Sequence, residues 1–295
     1  MADFWKNFIE KRKISKQDKQ LAAEKARKEK RRRLLKEGKL TPKGRIGLCL
    51  GGGGARGFAH IGAIKAMEEA GIGFDLCVGT SVGALIGSLV CGGMSADQMF
   101  AFGEALDMRS IRSGSLLFSK DTDGIQNVVR GLLGDVDIED LKKQFTAVAT
   151  DLVTGKEVLL DSGNLAKSVA ASCCVPHVFK PVIMDDMHLV DGGLVNNIPA
   201  DVCRVMGADY VITVDVNPSR GQGTDDLGMI AVLKATFSIM MSSASYKGYM
   251  NSDVIIKADT KDFSSTSKEG YDEMYKIGYD AMQESIDEII EKLYW

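Results

Sequence analysis

The first forty residues never settle into the apolar rhythm of a core element; Lys, Arg, Glu and Ala dominate them. The pattern changes after the breaker pair Pro42 and Gly44, where Arg45–Leu50 gives the first strand signal, with its apolar run at Leu48–Leu50. Short apolar runs then alternate with helical stretches. Phe58–Ala70 reads as a helix that Gly71 stops, Phe74–Val78 as a strand and Ser81–Cys91 as a second helix. Phe145–Thr150 and Glu157–Leu160 read as paired strands turning at Thr154-Gly155. Leu165–Ser172 is helical, Tyr210–Val216 and Val254–Lys257 are strands, and Gly270–Leu293 is an amphipathic C-terminal helix. Strands alternating with helices predict an α/β fold, a mostly parallel sheet covered on both faces.

Two stretches fit that rhythm poorly. Asp107–Asp137 is rich in Ser, Gly and Asp, and the polar loop Asn217–Gly228 leads into Met229–Met250, an apolar helix containing Met240, Met241 and Met250. Either reads as a mobile wall over a pocket, because Met-rich surfaces adapt to flexible apolar ligands. The plainer reading is a surface insertion followed by a core helix.

Charge divides the chain where the pattern does. Residues 1–40 hold 15 basic against 6 acidic residues, and the remainder holds 22 against 34, for a net charge of -3. We therefore expect a basic leader over 1–40 and a catalytic-type domain over 41–295. Phe4, Trp5, Phe8 and Ile9 share one helical face beside Lys11, Arg12 and Lys13, and Arg31-Arg32-Arg33 follows. This suits peripheral contact with an anionic membrane, set against the alternative of a solvated tail. No nucleic-acid role is expected. The N-terminus has no signal-peptide pattern and no apolar run spans a bilayer, so the chain reads as cytoplasmic, at most peripheral to a membrane. Six cysteines with no CxxC spacing read as buried free thiols, and the acidic residues form no calcium loop, so neither metal nor cofactor is expected.

Candidate chemistry gathers in three places. Gly79-Thr80-Ser81-Val82-Gly83 is a GxSxG set between a strand and a helix, the context that exposes a nucleophilic serine at a sheet edge. Gly51-Gly52-Gly53-Gly54-Ala55-Arg56-Gly57 follows the first strand and opens a helix. Successive glycine N–H groups there suit either a nucleotide phosphate or an oxyanion. A Walker loop is excluded, for no Gly-Lys-Ser/Thr follows, and the next strand lacks the acidic residue of a dinucleotide site. His60, His177 and His188 all lie away from where a triad histidine would fall and read as structural. The strand His188–Asp191 instead ends in a carboxylate at a double-glycine turn.

These three motifs, in this order, resemble those of the patatin-like phospholipases. Ala59-His60-Ile61-Gly62, Ala149-Thr150-Asp151-Leu152, Ala171-Ser172-Cys173-Cys174-Val175-Pro176 and Asn196-Asn197-Ile198-Pro199 are similar to segments of the bacterial branch. The resemblance covers roughly residues 45–290. The chain departs from it at His177, which follows Pro176 where glycine is common. The resemblance implies a three-layer α/β/α fold and a Ser81–Asp191 dyad without histidine, acting on lipid acyl esters. Gly53 and Gly54 would supply oxyanion N–H groups, with Gly52 and Arg56 beside them. Asp151 would be a structural carboxylate. A transacylase would use the same residues, and a lipid-binding scaffold would keep the fold without the reaction.

Overall fold

The computed structural model describes residues 2–105, 121–176, 178–217, 228–263 and 269–295, the side chains of 2–17, 104, 105, 230 and 234 excepted. A long helix α1 (Ala2–Lys36) leads into β1 (Ile46–Leu50), α2 (Gly57–Ala70), β2 (Leu76–Thr80), α3 (Val82–Gly92) and α4 (Ala96–Ala105). Next come α5 (Asp123–Leu133), β3 (Gln144–Asp151), β4 (Glu157–Leu160), α6 (Leu165–Ser172), β5 (Val182–Met184), β6 (Met187–Asp191) and α7 (Ala200–Val205). The chain closes with β7 (Tyr210–Asp215), α8 (Met229–Ser243), α9 (Tyr246–Asn251), β8 (Val254–Lys257) and α10 (Tyr271–Leu293).

The strands form one mixed sheet of order β5-β6-β3-β2-β1-β7-β8, with β4 also on β3. Its centre, β3-β2-β1-β7-β8, is parallel throughout, whereas β4, β5 and β6 pair antiparallel. The central strands read as unbroken apolar runs because both of their faces are covered. Alternate residues serve different cores. Ile46, Leu48 and Leu50, with Cys77, Ala147 and Ile212, join the core made by α2, α3, α6 and α10. Cys49, Val78, Val148 and Val211 point the other way, onto Ile198 and α7. The result is three layers, helix on sheet on helix.

Several elements differ from the sequence reading. The Asp107–Asp137 stretch contains a helix, α5, whose Ile125 and Val129 are buried; residues 106–120 lie outside the described residues. The apolar stretch 229–250 is two helices, α8 and α9, separated at Ala244-Ser245. Ser245 is buried there, with its hydroxyl donating to Met241 O at 2.8 Å. The polar 218–227 loop lies outside the described residues.

The end of α1 belongs to the packed body. Leu35 is buried in the main core, Arg31 Nη2 donates to Ile290 O and Tyr294 O, and Arg32 pairs with Asp287 on α10. The side chains of Phe4, Trp5, Phe8 and Ile9 lie outside the described residues. Among the described residues no helix is long and apolar enough to cross a membrane. The six cysteines are buried and free.

Candidate active site

Strand register brings the two candidate catalytic residues together. β2 runs parallel to β3 and ends with Thr80 opposite Val148. The other side of β3, over Ala147–Thr150, is taken by β4. β6 therefore pairs with β3 on the side that β2 vacates, with Asp191 opposite Ala149. β2 and β6 approach from opposite directions and stop at consecutive residues of β3, so Ser81 and Asp191 face each other across the gap.

The turn at Ser81 is built from close contacts. Ser81 has φ 54 and ψ -126, a strained conformation for a residue with a side chain. A Cβ on Gly83 would lie 2.1 Å from Leu50 O, and one on Gly79 would lie 2.3 Å from Gly83 O. Only glycine lets α3 start this near β1 and β2. Ser81 N–H donates to Ser172 Oγ at 3.0 Å, and that hydroxyl donates to Val148 O at 2.6 Å. The serine is thus tied to the strand that sets its position, at the positive end of α3.

Asp191 is fully buried. Its N–H donates to Cys174 O at 2.9 Å, and its carbonyl accepts from Thr150 Oγ1 at 3.0 Å. Oδ1 accepts from Gly193 N–H at 2.8 Å, while Oδ2 has no partner of hydrogen-bond geometry among the described residues. Burial pushes its pKa up to about 6, opposed by the neighbouring Ser81 hydroxyl and then by Gly193 N–H. A desolvated carboxylate with one open oxygen beside a serine is equipped to accept a proton.

The glycine loop divides its duties. Gly52 N–H donates to Asn197 O at 3.1 Å and is occupied. Gly53 and Gly54 donate to no other group among the described residues, and Gly54 has φ 63, which turns the backbone back on itself. Gly52 lies against the dyad, for a Cβ there would be 3.4 Å from Ser81 Cβ. Arg56, expected beside the oxyanion loop, is held by loop contacts of its own. Its guanidinium donates to Phe263 O at 2.9 and 2.7 Å and to Asn217 Oδ1, fastening two loops.

The other candidates have structural surroundings. His60 is buried, with Nε2 2.7 Å from Gly51 O, and burial lowers its pKa to about 4. A neutral ring donating to that carbonyl braces the glycine loop. His188 is exposed and His177 lies outside the described residues. Asp151 accepts from the Thr154 hydroxyl at 2.6 Å and from the N–H groups of Val153, Thr154 and His188. The Thr154 bond first, then those backbone bonds, hold its pKa below the usual carboxylate range. It staples the β3–β4 turn.

Asn197 and Ser172 carry no site role in the sequence reading, where Met241 belongs only to a Met-rich wall. Asn197 Nδ2 donates to Ser245 Oγ at 3.3 Å, and its buried Oδ1 has no hydrogen-bond partner among the described residues. A Cβ on Gly193 would lie 3.0 Å from Asp191 Oδ1, 3.2 Å from Asn197 Oδ1 and 3.1 Å from Met241 Cε. A Cβ on Gly52 would likewise meet Asn197 Oδ1 and Met241 Cε. Met241 therefore caps the space between the two glycine turns. Ser172 and Asn197 stand in segments that carried the family resemblance, and Met241 in the Met-rich stretch, but no local spacing aims them at Ser81.

Fold and site together define the class. The patatin-like phospholipase family profile matches residues 48–204, and the chain belongs to that family. It is 37% identical over 184 residues to an uncharacterized NTE family protein of Mycobacterium tuberculosis, covering 60% of this chain and 50% of that one. It is 35% identical over 205 residues to the lysophospholipase nte1 of Emericella nidulans, covering 64% of this chain and 13% of that one. The chain thus spans half or less of the length of these relatives. The crystal structure of VipD from Legionella pneumophila shares the fold, with TM-score 0.60 and 16% identity over 84% of this chain and 68% of that one.

Proposed function

We propose that the protein hydrolyses lipid acyl esters, of the phospholipase A or lysophospholipase type, through Ser81 and Asp191. The observation that carries this reading is the end-on meeting of β2 and β6, which sets a strained serine against a buried carboxylate. Membership of the patatin-like phospholipase family supports the substrate class, as does likeness to a relative named lysophospholipase.

Asp191 Oδ2 takes the Ser81 proton as Oγ attacks the ester carbonyl. The carbonyl oxygen gains negative charge and is received by the N–H groups of Gly53 and Gly54. Collapse expels the alcohol, which leaves with the proton from Asp191, and an acyl-Ser81 ester remains. Water then attacks with Asp191 again as base, releasing the acid. An alcohol in place of that water would make the protein a transacylase with the same residues. The basic leader supplies an electrostatic contact with anionic lipid.

A fluorophosphonate probe tests the assignment. It should label the wild type at Ser81, and Ser81→Ala should lose both labelling and ester hydrolysis while keeping its circular dichroism spectrum. Labelling that persists in the Ala variant would move the nucleophile elsewhere. A well-folded wild type that binds lipid but neither reacts nor hydrolyses would favour the scaffold reading.

A further inference from the structure

α8 presents apolar side chains to water on one face and turns Met241 toward the candidate active site on the other. Met229, Val232, Leu233, Ile239 and Met240 recur at helical spacing along one stripe. Met229 is 77% exposed and Ile239 50%, and the other three are exposed as well. Met241 is turned inward and only 8% exposed, its Cε against the Gly52 and Gly193 turns. An outward apolar stripe of this kind lowers solubility and is not explained by the packing of the fold itself.

Charge says what covers it. Residues 229–252 contain no Asp or Glu, and their charged residues are Lys234 and Lys247, on a body that is otherwise strongly acidic. An apolar stripe on a helix free of carboxylates suits the boundary between headgroups and acyl chains. The helix is also fastened at one end. Asn197 N–H donates to Ala244 O at 3.3 Å, Asn197 Nδ2 to Ser245 Oγ, and the Ser245 hydroxyl to Met241 O.

We propose that the outer stripe of α8 is the surface by which the protein seats on a lipid aggregate, and that seating draws Met241 off the Ser81–Asp191 gap. The inference rests on the hydrolase reading and adds where the lipid meets the protein and how the buried dyad is opened. It differs from the leader contact in physical kind, since apolar insertion resists salt whereas attraction of a basic segment does not.

The test compares the full-length wild type with a Val232→Gln/Leu233→Gln variant. Binding to vesicles of phosphatidylcholine and phosphatidylglycerol is measured by sedimentation at low and high salt. At high salt the variant should bind more weakly, on the order of tenfold. It should hydrolyse a soluble short-chain ester at the wild-type rate, because both side chains lie outside the dyad. Vesicles should stimulate wild-type turnover of that soluble ester, and Met241→Ala should reach the stimulated rate without them. Equal high-salt binding by wild type and variant overturns the proposal. So does a loss of self-association in the variant with vesicle binding unchanged, which would assign the stripe to a second copy of the chain. If the wild type binds vesicles through the stripe yet hydrolyses neither ester nor phospholipid, the hydrolase reading falls and the docking surface stands.

Discussion

Asp191 carries two opposing requirements at the same atoms. Its carboxyl is held neutral by burial until pH reaches about 6, yet as a base it acts only when ionised. Hydrolysis of a soluble ester should therefore rise with pH through an inflection near 6. Carboxyl ionisation is nearly athermal whereas imidazole ionisation is not, so an inflection that stays in place as temperature changes identifies Asp191. His60, kept neutral down to about 4, does not titrate in that window. Asp191→Asn should lower the rate ~10²–10⁴-fold, while His60→Gln and His188→Gln keep most of it. Stability should move the other way. A pKa raised by the fold means that the neutral form is favoured, so that contribution is present at low pH and lost as pH rises through about 6. Asp191→Asn should then be more stable than wild type at pH 8, by about 3 kcal/mol in denaturant titration. The gain should vanish at strongly acid pH, where both forms are neutral.

At the scale of elements, the site depends on how closely α2 can approach its neighbours. α2 begins beside the glycine loop and carries His60, and it packs along α10 through Gly62 and Gly278. A Cβ on Gly62 would lie 1.9 Å from Tyr275 O, and one on Gly278 would lie 1.8 Å from Ala59 O. Both contacts are with backbone, so no rotamer change relieves them. Gly62→Ala should destabilise the fold by about 3 kcal/mol through overpacking, read as a lowered Tm. The stacking of Phe58 on Tyr271, with ring centroids 4.3 Å apart, joins the first turns of the same two helices. The glycine loop thus hangs from a helix whose position a partner far along the chain decides.

For the molecule as a whole, the leader has two parts with different physics. Its last turns are packed, and Leu35→Ala should cost about 3 kcal/mol as a buried leucine truncation. The surface pairs around Arg27 and Glu291, 3.9 Å apart, add little. Removing residues 2–17 keeps these contacts and should leave soluble-ester turnover unchanged, while binding to anionic vesicles at low salt falls. Unchanged low-salt binding in that shortened chain would dismiss the leader as a membrane contact and leave the α8 surface to be judged separately.

Much of this fold is written in consecutive residues. The apolar runs of β1, β2, β3, β7 and β8 and the helical spacing of α2, α3, α6 and α10 are local periodicities, so they were legible with ends shifted by a few residues. The strand–serine–helix turn was legible for the same reason, because Gly79 and Gly83 sit beside the residue whose backbone they relieve. α5, α7 and the break between α8 and α9 were not, since their short or weakly patterned segments are held by contacts such as Ser245 with Asn197. Nor does spacing say which of four glycine N–H groups is open. Asn197 O takes the Gly52 donor, and Phe263 and Asn217 take Arg56. The meeting of Ser81 with Asp191 rests on register. β4 occupies one side of β3, β2 stops at Val148 on the other, and β6 enters at Ala149. Pairing between strands remote in sequence is a property of the assembled sheet, and only there do a serine and a carboxylate become neighbours.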